Sequence, residues 1–160
     1  MKKISVSDLL LFVLSAEAVG AVSALLSGSM SGFFEKYQQP PLLPPAWLFP
    51  VVWVILYAVM GFSAYLVYMA KTTESAVQNR KALNSYWIQL GVNFSWSIVF
   101  FRLEALWAAV AVVLLLFVLI IIMMARFRKI KPLAAYINIP YLLWVGFASY
   151  LTIAVAIINK

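Results

Sequence analysis

The sequence predicts an all-α integral membrane protein: a bundle of five transmembrane helices with a long Pro-rich first extracytoplasmic loop, forming one domain over residues 1–160. Three observations predict it. Of the 160 residues, 66% are hydrophobic and only 11% charged, against roughly 45–50% and 25% in a soluble globular domain. Five apolar stretches are each long enough to cross a bilayer, which takes about 20 helical residues. The basic residues are also shared unevenly between the two sides of those stretches.

The spans are expected at about 7–27, 46–70, 82–101, 105–125 and 133–158. The first carries Glu17 and is the weakest. Its ten strongly apolar residues, Leu9 to Leu26, contribute roughly −3 to −6 kcal/mol on an insertion scale. A central carboxylate costs about +2.5 to +3.5 kcal/mol on the same scale, so the span persists. Lys2 and Lys3 ahead of an apolar run also fit a signal peptide, but Asp8 interrupts that pattern and the apolar run continues beyond Ala18. The second span, Ala46 to Ala70, is uncharged, and Pro50 is a place for it to bend. The fourth, Ala105 to Ala125, contains no charged or amide side chain. The fifth holds Pro140, which lacks a backbone donor and should kink it.

An odd number of spans puts the termini on opposite sides. Lys2, Lys3, Lys71, Arg80, Lys81, Arg126, Arg128, Lys129 and Lys131 fall on the N-terminal side, against Lys36, Arg102 and Lys160 on the other. This asymmetry places the N-terminus in the cytoplasm and the C-terminus outside. The net charge of +7 is then a matter of topology and anionic headgroups, not of nucleic acid, because the aromatics lie within the spans.

Absences narrow the chemistry. With no Cys and no His, disulfides, thiolate catalysis, iron–sulfur clusters and the usual haem and zinc ligands are excluded. The acidic residues Asp8, Glu17, Glu35, Glu74 and Glu104 are scattered, so no metal cage is expected and no bound cofactor is required.

The remaining signal is aromatic and amidic. The segment 28–45 ends in Gln39-Pro40-Pro41-Leu42-Leu43-Pro44-Pro45, a stiff extended path readable as a spacer or as a cover over the bundle mouth. Trp53, Tyr57, Gly61 and Ala64 recur at helical spacing in the second span, setting large flat rings beside small gaps. Trp47 and Tyr68 suit the membrane interface. In the third span Tyr86, Gln89, Asn93, Trp96 and Phe100 repeat at 3,4,3,4 spacing and share one face. Amides in hydrocarbon need partners, so that face must point inward, with interhelical hydrogen bonds of ~0.6 kcal/mol each as the plainest reading. Tyr141, Trp144, Ala148 and Leu151 share a face of the fifth span. Ala16-x-x-x-Gly20-x-x-x-Ala24 and Gly91-x-x-x-Ser95 are small-residue seams suited to close helix contact. Three inward aromatic faces under a stiff loop suggest a pocket for a large planar apolar ligand.

Three motifs carry a resemblance. They are Pro44-Pro45-x-Trp47-x-x-Pro50-Val51-x-Trp53-x-x-Leu56-Tyr57-x-x-Met60-Gly61, then Tyr86-x-x-Gln89-Leu90-x-x-Asn93-x-x-Trp96-x-x-x-Phe100-Phe101, then Pro140-Tyr141-Leu142-x-Trp144-x-x-Phe147-Ala148-x-x-Leu151. In kind and order the sequence resembles the translocator protein, or tryptophan-rich sensory protein (TspO/MBR), family. The resemblance implies a five-helix bundle, commonly a homodimer, that binds porphyrins, sterol-like lipids and benzodiazepine-type drugs beneath the first loop. It places Trp53, Asn93, Trp144, Ala148 and Leu151 around that pocket and Pro44 in the lid; Phe34, Tyr57 and Trp96 join them as candidates. It also implies a bacterial cell membrane as the host and a tetrapyrrole or lipid as the small-molecule partner.

The chain departs from the family pattern in its first loop, usually Trp-Tyr-x-x-Leu-x-Lys-Pro-x-Trp-x-Pro-Pro. Here Phe33, Phe34, Tyr37, Gln39, Pro40, Leu42, Pro44 and Pro45 stand at the corresponding positions. Both tryptophans and the tyrosine are replaced, which weakens any porphyrin photochemistry that uses them. The sterol-contact pattern near the C-terminus is also missing, because nothing basic follows Tyr150 until Lys160. The leading expectation is a receptor or carrier for planar hydrophobic ligands. The alternatives are a light-dependent protoporphyrin-degrading enzyme using Trp53 and Trp144, and a small ion-coupled transporter with Glu17 as its proton site.

Overall fold

The computed structural model describes residues 5–70, 72 and 75–160; Lys2, Lys3 and Lys71 of the charge argument lie outside them. The regular elements among the described residues are all helical: α1 (Val6–Ser27), α2 (Met30–Lys36), α3 (Leu48–Met69), α4 (Ala76–Ser97) with a π-helical turn (Ile98–Arg102), α5 (Leu106–Ile130), α6 (Pro132–Tyr136) and α7 (Ile139–Ile158).

Four stretches among the described residues are long and apolar enough to cross a membrane: α1, α3, α5 and Pro132–Ile158, which holds α6 and α7. By that measure the count is four, where five was expected. The expected span 82–101 lies on α4 and its π turn. α4 matches α1 and α3 at 22 residues, but Asn79, Asn84, Ser85, Gln89 and Asn93 make it the most polar of the long helices. It is set among α1, α3 and α5, where several of those side chains find partners.

Charged residues shift the helix ends. α4 begins six residues ahead of its apolar core and α5 runs on to Ile130. Arg80, Lys81, Arg126, Arg128 and Lys129 are sound helix formers that extend the helices past the apolar stretch. Arg126 donates to the Lys81 carbonyl at 3.1 Å, tying these two basic ends together.

Neither expected proline kink forms within a helix. Pro50 sits in the first turn of α3, where a missing N–H removes no intrahelical bond. Pro132 and Pro140 open α6 and α7, and the expected fifth span is broken between them at Ile137 and Asn138. Buried Asn138 donates to the Ala134 carbonyl at 2.8 Å, satisfying part of the break. The first loop also differs from a purely extended path: Ser29 caps α2 by accepting from the Gly32 N–H at 3.1 Å, and the proline segment follows.

α1 buries one narrow stripe, Phe12, Ala16, Gly20, Ser23 and Ser27. Leu10, Leu11, Leu14 and Leu25 are 50–81% exposed, as suits a helix bathed in lipid. The stripe meets α3 at two glycines. Gly20 lies under the Tyr57 ring, and a Cβ on Gly61 would sit 2.6 Å from the Phe12 carbonyl oxygen and from the Val13 Cα. Of the two small-residue seams, Ala16-x-x-x-Gly20 packs inside the bundle, while Gly91 faces open space.

Gly61→Ala should therefore push α1 off α3, with an overpacking penalty of about 1–3 kcal/mol in detergent unfolding. Gly91→Ala, with nothing within 4 Å of its new methyl, should unfold like the parent.

Candidate functional site

A chain of side-chain hydrogen bonds crosses the bundle interior. The Tyr57 hydroxyl donates to Asn93 Oδ1 at 2.8 Å, and Asn93 Nδ2 donates to the Tyr141 hydroxyl at 2.7 Å. Tyr141 in turn donates to Gln89 Oε1 at 2.7 Å, and Gln89 Nε2 reaches Met60 Sδ at 3.7 Å. All five residues are buried. The chain joins α3, α4 and α7, and each tyrosine hydroxyl is spent on an amide, as a waterless interior requires.

Above this chain, toward the first loop, lies a cavity of about 260 Å³. Its α1 wall is made of small residues, Gly20, Ala21, Ser23 and Ala24, with Glu17 at the far end. Phe49, Pro50, Trp53 and Tyr57 of α3 face them, and Asn93, Trp96 and Phe101 close the third side. The Trp53 ring lies 5.6 Å from Tyr57, 6.3 Å from Trp96 and 6.4 Å from Tyr141. Ser23 holds α1 to α4 by donating to the Phe94 carbonyl at 2.8 Å. The cavity wall is thus made of flat aromatic faces, small gaps and few polar atoms, which suits an apolar ring system.

The loop end of the cavity is roofed by α2. Phe33 sits 4.7–5.3 Å from the rings of Phe34, Tyr37, Phe100 and Phe101. Three polar ties hold this roof. Lys36 forms an ion pair with Glu104, and Tyr37 donates to the same carboxylate oxygen at 2.8 Å. Gln38 and Asn159 exchange hydrogen bonds at 2.8 and 3.1 Å. Tyr150 donates to the Pro41 carbonyl at 2.9 Å. The Lys36 and Tyr37 bonds hold the Glu104 carboxyl below its ordinary value, and the same carboxylate raises Lys36 and Tyr37 above theirs.

The structure brings four of the expected site residues to the cavity: Trp53, Tyr57, Asn93 and Trp96. Five do not line it. Phe34 packs behind Phe49 and Phe101, at 6.2 and 5.9 Å between ring centres. Trp144 sets its ring edge-on to Phe49 at 5.8 Å. Ala148 and Leu151 are buried on α7, and half-buried Pro44 lies in the loop. The α1 wall supplies none of the expected site residues, although the resemblance sets the pocket among the first, second, third and fifth spans. Its signal was present in Ala16-x-x-x-Gly20-x-x-x-Ala24, where absent side chains mean either helix contact or an empty space, and here one motif provides both.

Fold and site together define a multi-pass helical membrane protein with an aromatic cavity under a capped loop. A sequence model of the TspO/MBR family matches residues 12–158. The tryptophan-rich protein TspO of Chlorobaculum tepidum is 34% identical over 143 residues, covering 89% of each chain. The translocator protein of Homo sapiens is 32% identical over 135 residues, 83% of this chain and 78% of the human one. Protein CrtK of Rhodobacter capsulatus is 29% identical over 151 residues, 92% and 90% of the two chains. The chain belongs to the TspO/MBR family.

The roof's ion pair sets a pH dependence. Because Glu104 is held below its ordinary 4.5, its contribution is complete above that value and is lost as pH falls through the lowered one. Amide exchange of α2 should be slower in the parent than in Glu104→Gln at neutral pH, and the two should converge well below pH 4.5.

Proposed function

We propose that this protein is a membrane receptor or carrier for planar hydrophobic molecules, tetrapyrroles first, with sterol-like lipids and benzodiazepine-type drugs in the same class. The observation that carries this reading is the cavity: Trp53, Tyr57 and Trp96 present flat faces opposite the small residues of α1. Such a slot favours a ring system by stacking and by excluding lipid tails. Its volume of about 260 Å³ lies just under the roughly 300–1,000 Å³ of drug-sized sites. A tetrapyrrole therefore requires α1 or the α2 roof to give way, and the roof's few polar ties are suited to that. Relatives carry the names translocator protein and tryptophan-rich sensory protein, which fit carriage and sensing.

The working assembly in this reading is a homodimer in a bacterial cell membrane. α4 and its π turn form the fifth crossing, with Gln89 and Asn93 turned to the bundle interior, and the open Gly91 face is available to a second copy. Arg80, Lys81, Arg126, Arg128, Lys129 and Lys131 are all exposed near the ends of α4 and α5 farthest from the loop. That supports a cytoplasmic location for this end, with the C-terminus outside.

Titration with protoporphyrin, followed by tryptophan quenching and by the porphyrin's own absorbance, tests the site. Trp53→Ala should weaken binding at least tenfold, about 1.4 kcal/mol. Trp144→Ala, whose ring meets the cavity only through Phe49, should weaken it less. Equal losses would move the site toward α7, and undiminished binding in Trp53→Ala would remove it from this cavity.

A further inference from the structure

We propose that the cavity prefers a flat apolar cation, such as a protonated aromatic amine, with Glu17 as its counter-charge. This rests on the cavity being the ligand site proposed above and narrows the chemistry of what enters.

Glu17 stands midway along α1, at the depth where a lone carboxylate is least tolerated in a bilayer. It is half-buried and lines the cavity at the end away from the loop. No other lining residue is acidic or basic. Among the described residues no Lys or Arg forms an ion pair with it; the ion pair found there joins Lys36 to Glu104. Of the other polar groups of the wall, the buried Trp96 indole N–H has no partner but carries no charge, while the hydroxyls and the amide are engaged. Tyr57 donates to Asn93, Asn93 to Tyr141, Ser23 to the Phe94 carbonyl and Ser27 to the Ser23 carbonyl. Glu17 is therefore the group whose charge the fold leaves unbalanced, and an occupant is the means of balancing it.

The neighbouring walls suit the same occupant. Trp53 and Tyr57 line the cavity with it, and their π faces attract a cation while stacking on its rings. A volume of about 260 Å³ accommodates a three-ring aromatic without displacing the roof. A tetrapyrrole seated here turns its carboxylates toward the loop, away from Glu17.

The test compares 9-aminoacridine, a cation at neutral and mildly alkaline pH, with acridine, which has the same three rings and is uncharged there. Both are titrated into the purified protein in an uncharged detergent and followed by fluorescence. The parent should bind 9-aminoacridine at least tenfold more tightly. Glu17→Gln should lose that preference while keeping its affinity for acridine, and Glu17→Asp should retain it in part. Equal affinity of the parent for the two probes would overturn the inference and leave the cavity reading standing, and this comparison decides even where Glu17→Gln does not fold. A preference that survives in folded Glu17→Gln would also overturn it. Failure of the parent to bind either probe would remove the cavity reading as well.

Discussion

Polar side chains inside a membrane protein have no water to fall back on, and the chain from Tyr57 through Asn93 and Tyr141 to Gln89 is where this protein meets that constraint. Asn93 is both acceptor and donor at 2.8 and 2.7 Å, so α3 and α7 are each referenced to one side chain of α4. A single such bond in a bilayer is worth only about 0.6 kcal/mol. Its larger effect is on specificity, since any rotation of α4 strands several buried polar atoms at a cost of about 1–3 kcal/mol each. Apolar helices slide past one another in lipid with little penalty; these three do not have that freedom.

The cavity follows from this fixed frame. With α3 and α4 held, Trp53 and Trp96 have set positions, and α1 lies against them through its small residues. Gly61 lets the α1 backbone approach α3 at Phe12 and Val13, which anchors one half of α1. Toward the loop, Ala21 and Ala24 leave space opposite Pro50 and Trp53. One helix thus makes a tight seam and an open wall in succession. The aromatic cluster around Phe33 and the Lys36–Glu104–Tyr37 group close the top.

Much of this was legible in the residues. The 3,4,3,4 spacing of Tyr86, Gln89, Asn93, Trp96 and Phe100 marks a face that is buried throughout, at 0–4% exposure, because amides in hydrocarbon leave no other choice. The limits of α1 and α3 follow from apolar length. Less legible was α2: the run of apolar and polar residues from Met30 to Lys36 is too short for periodicity to speak, and only the Ser29 cap signals it. The break ahead of α7 was also hidden, since Pro140 fits a kinked helix as well as a new first turn. Periodicity defines which residues share a face but not which helix that face meets. For this reason Trp144, Ala148 and Leu151 read as cavity wall, whereas their face packs within the bundle, and Gly20 read as a seam although it also borders the cavity.

A double-mutant cycle between Asn93→Leu and Tyr141→Phe, read by reversible unfolding in mixed micelles, tests the central claim most directly. If the polar chain fixes α4 against α7, the two substitutions share one interaction. Their combined effect should then depart from additivity by about 0.5–3 kcal/mol. Effects that add to within about 0.3–0.5 kcal/mol would contradict the account and reduce Asn93 to an ordinary buried amide.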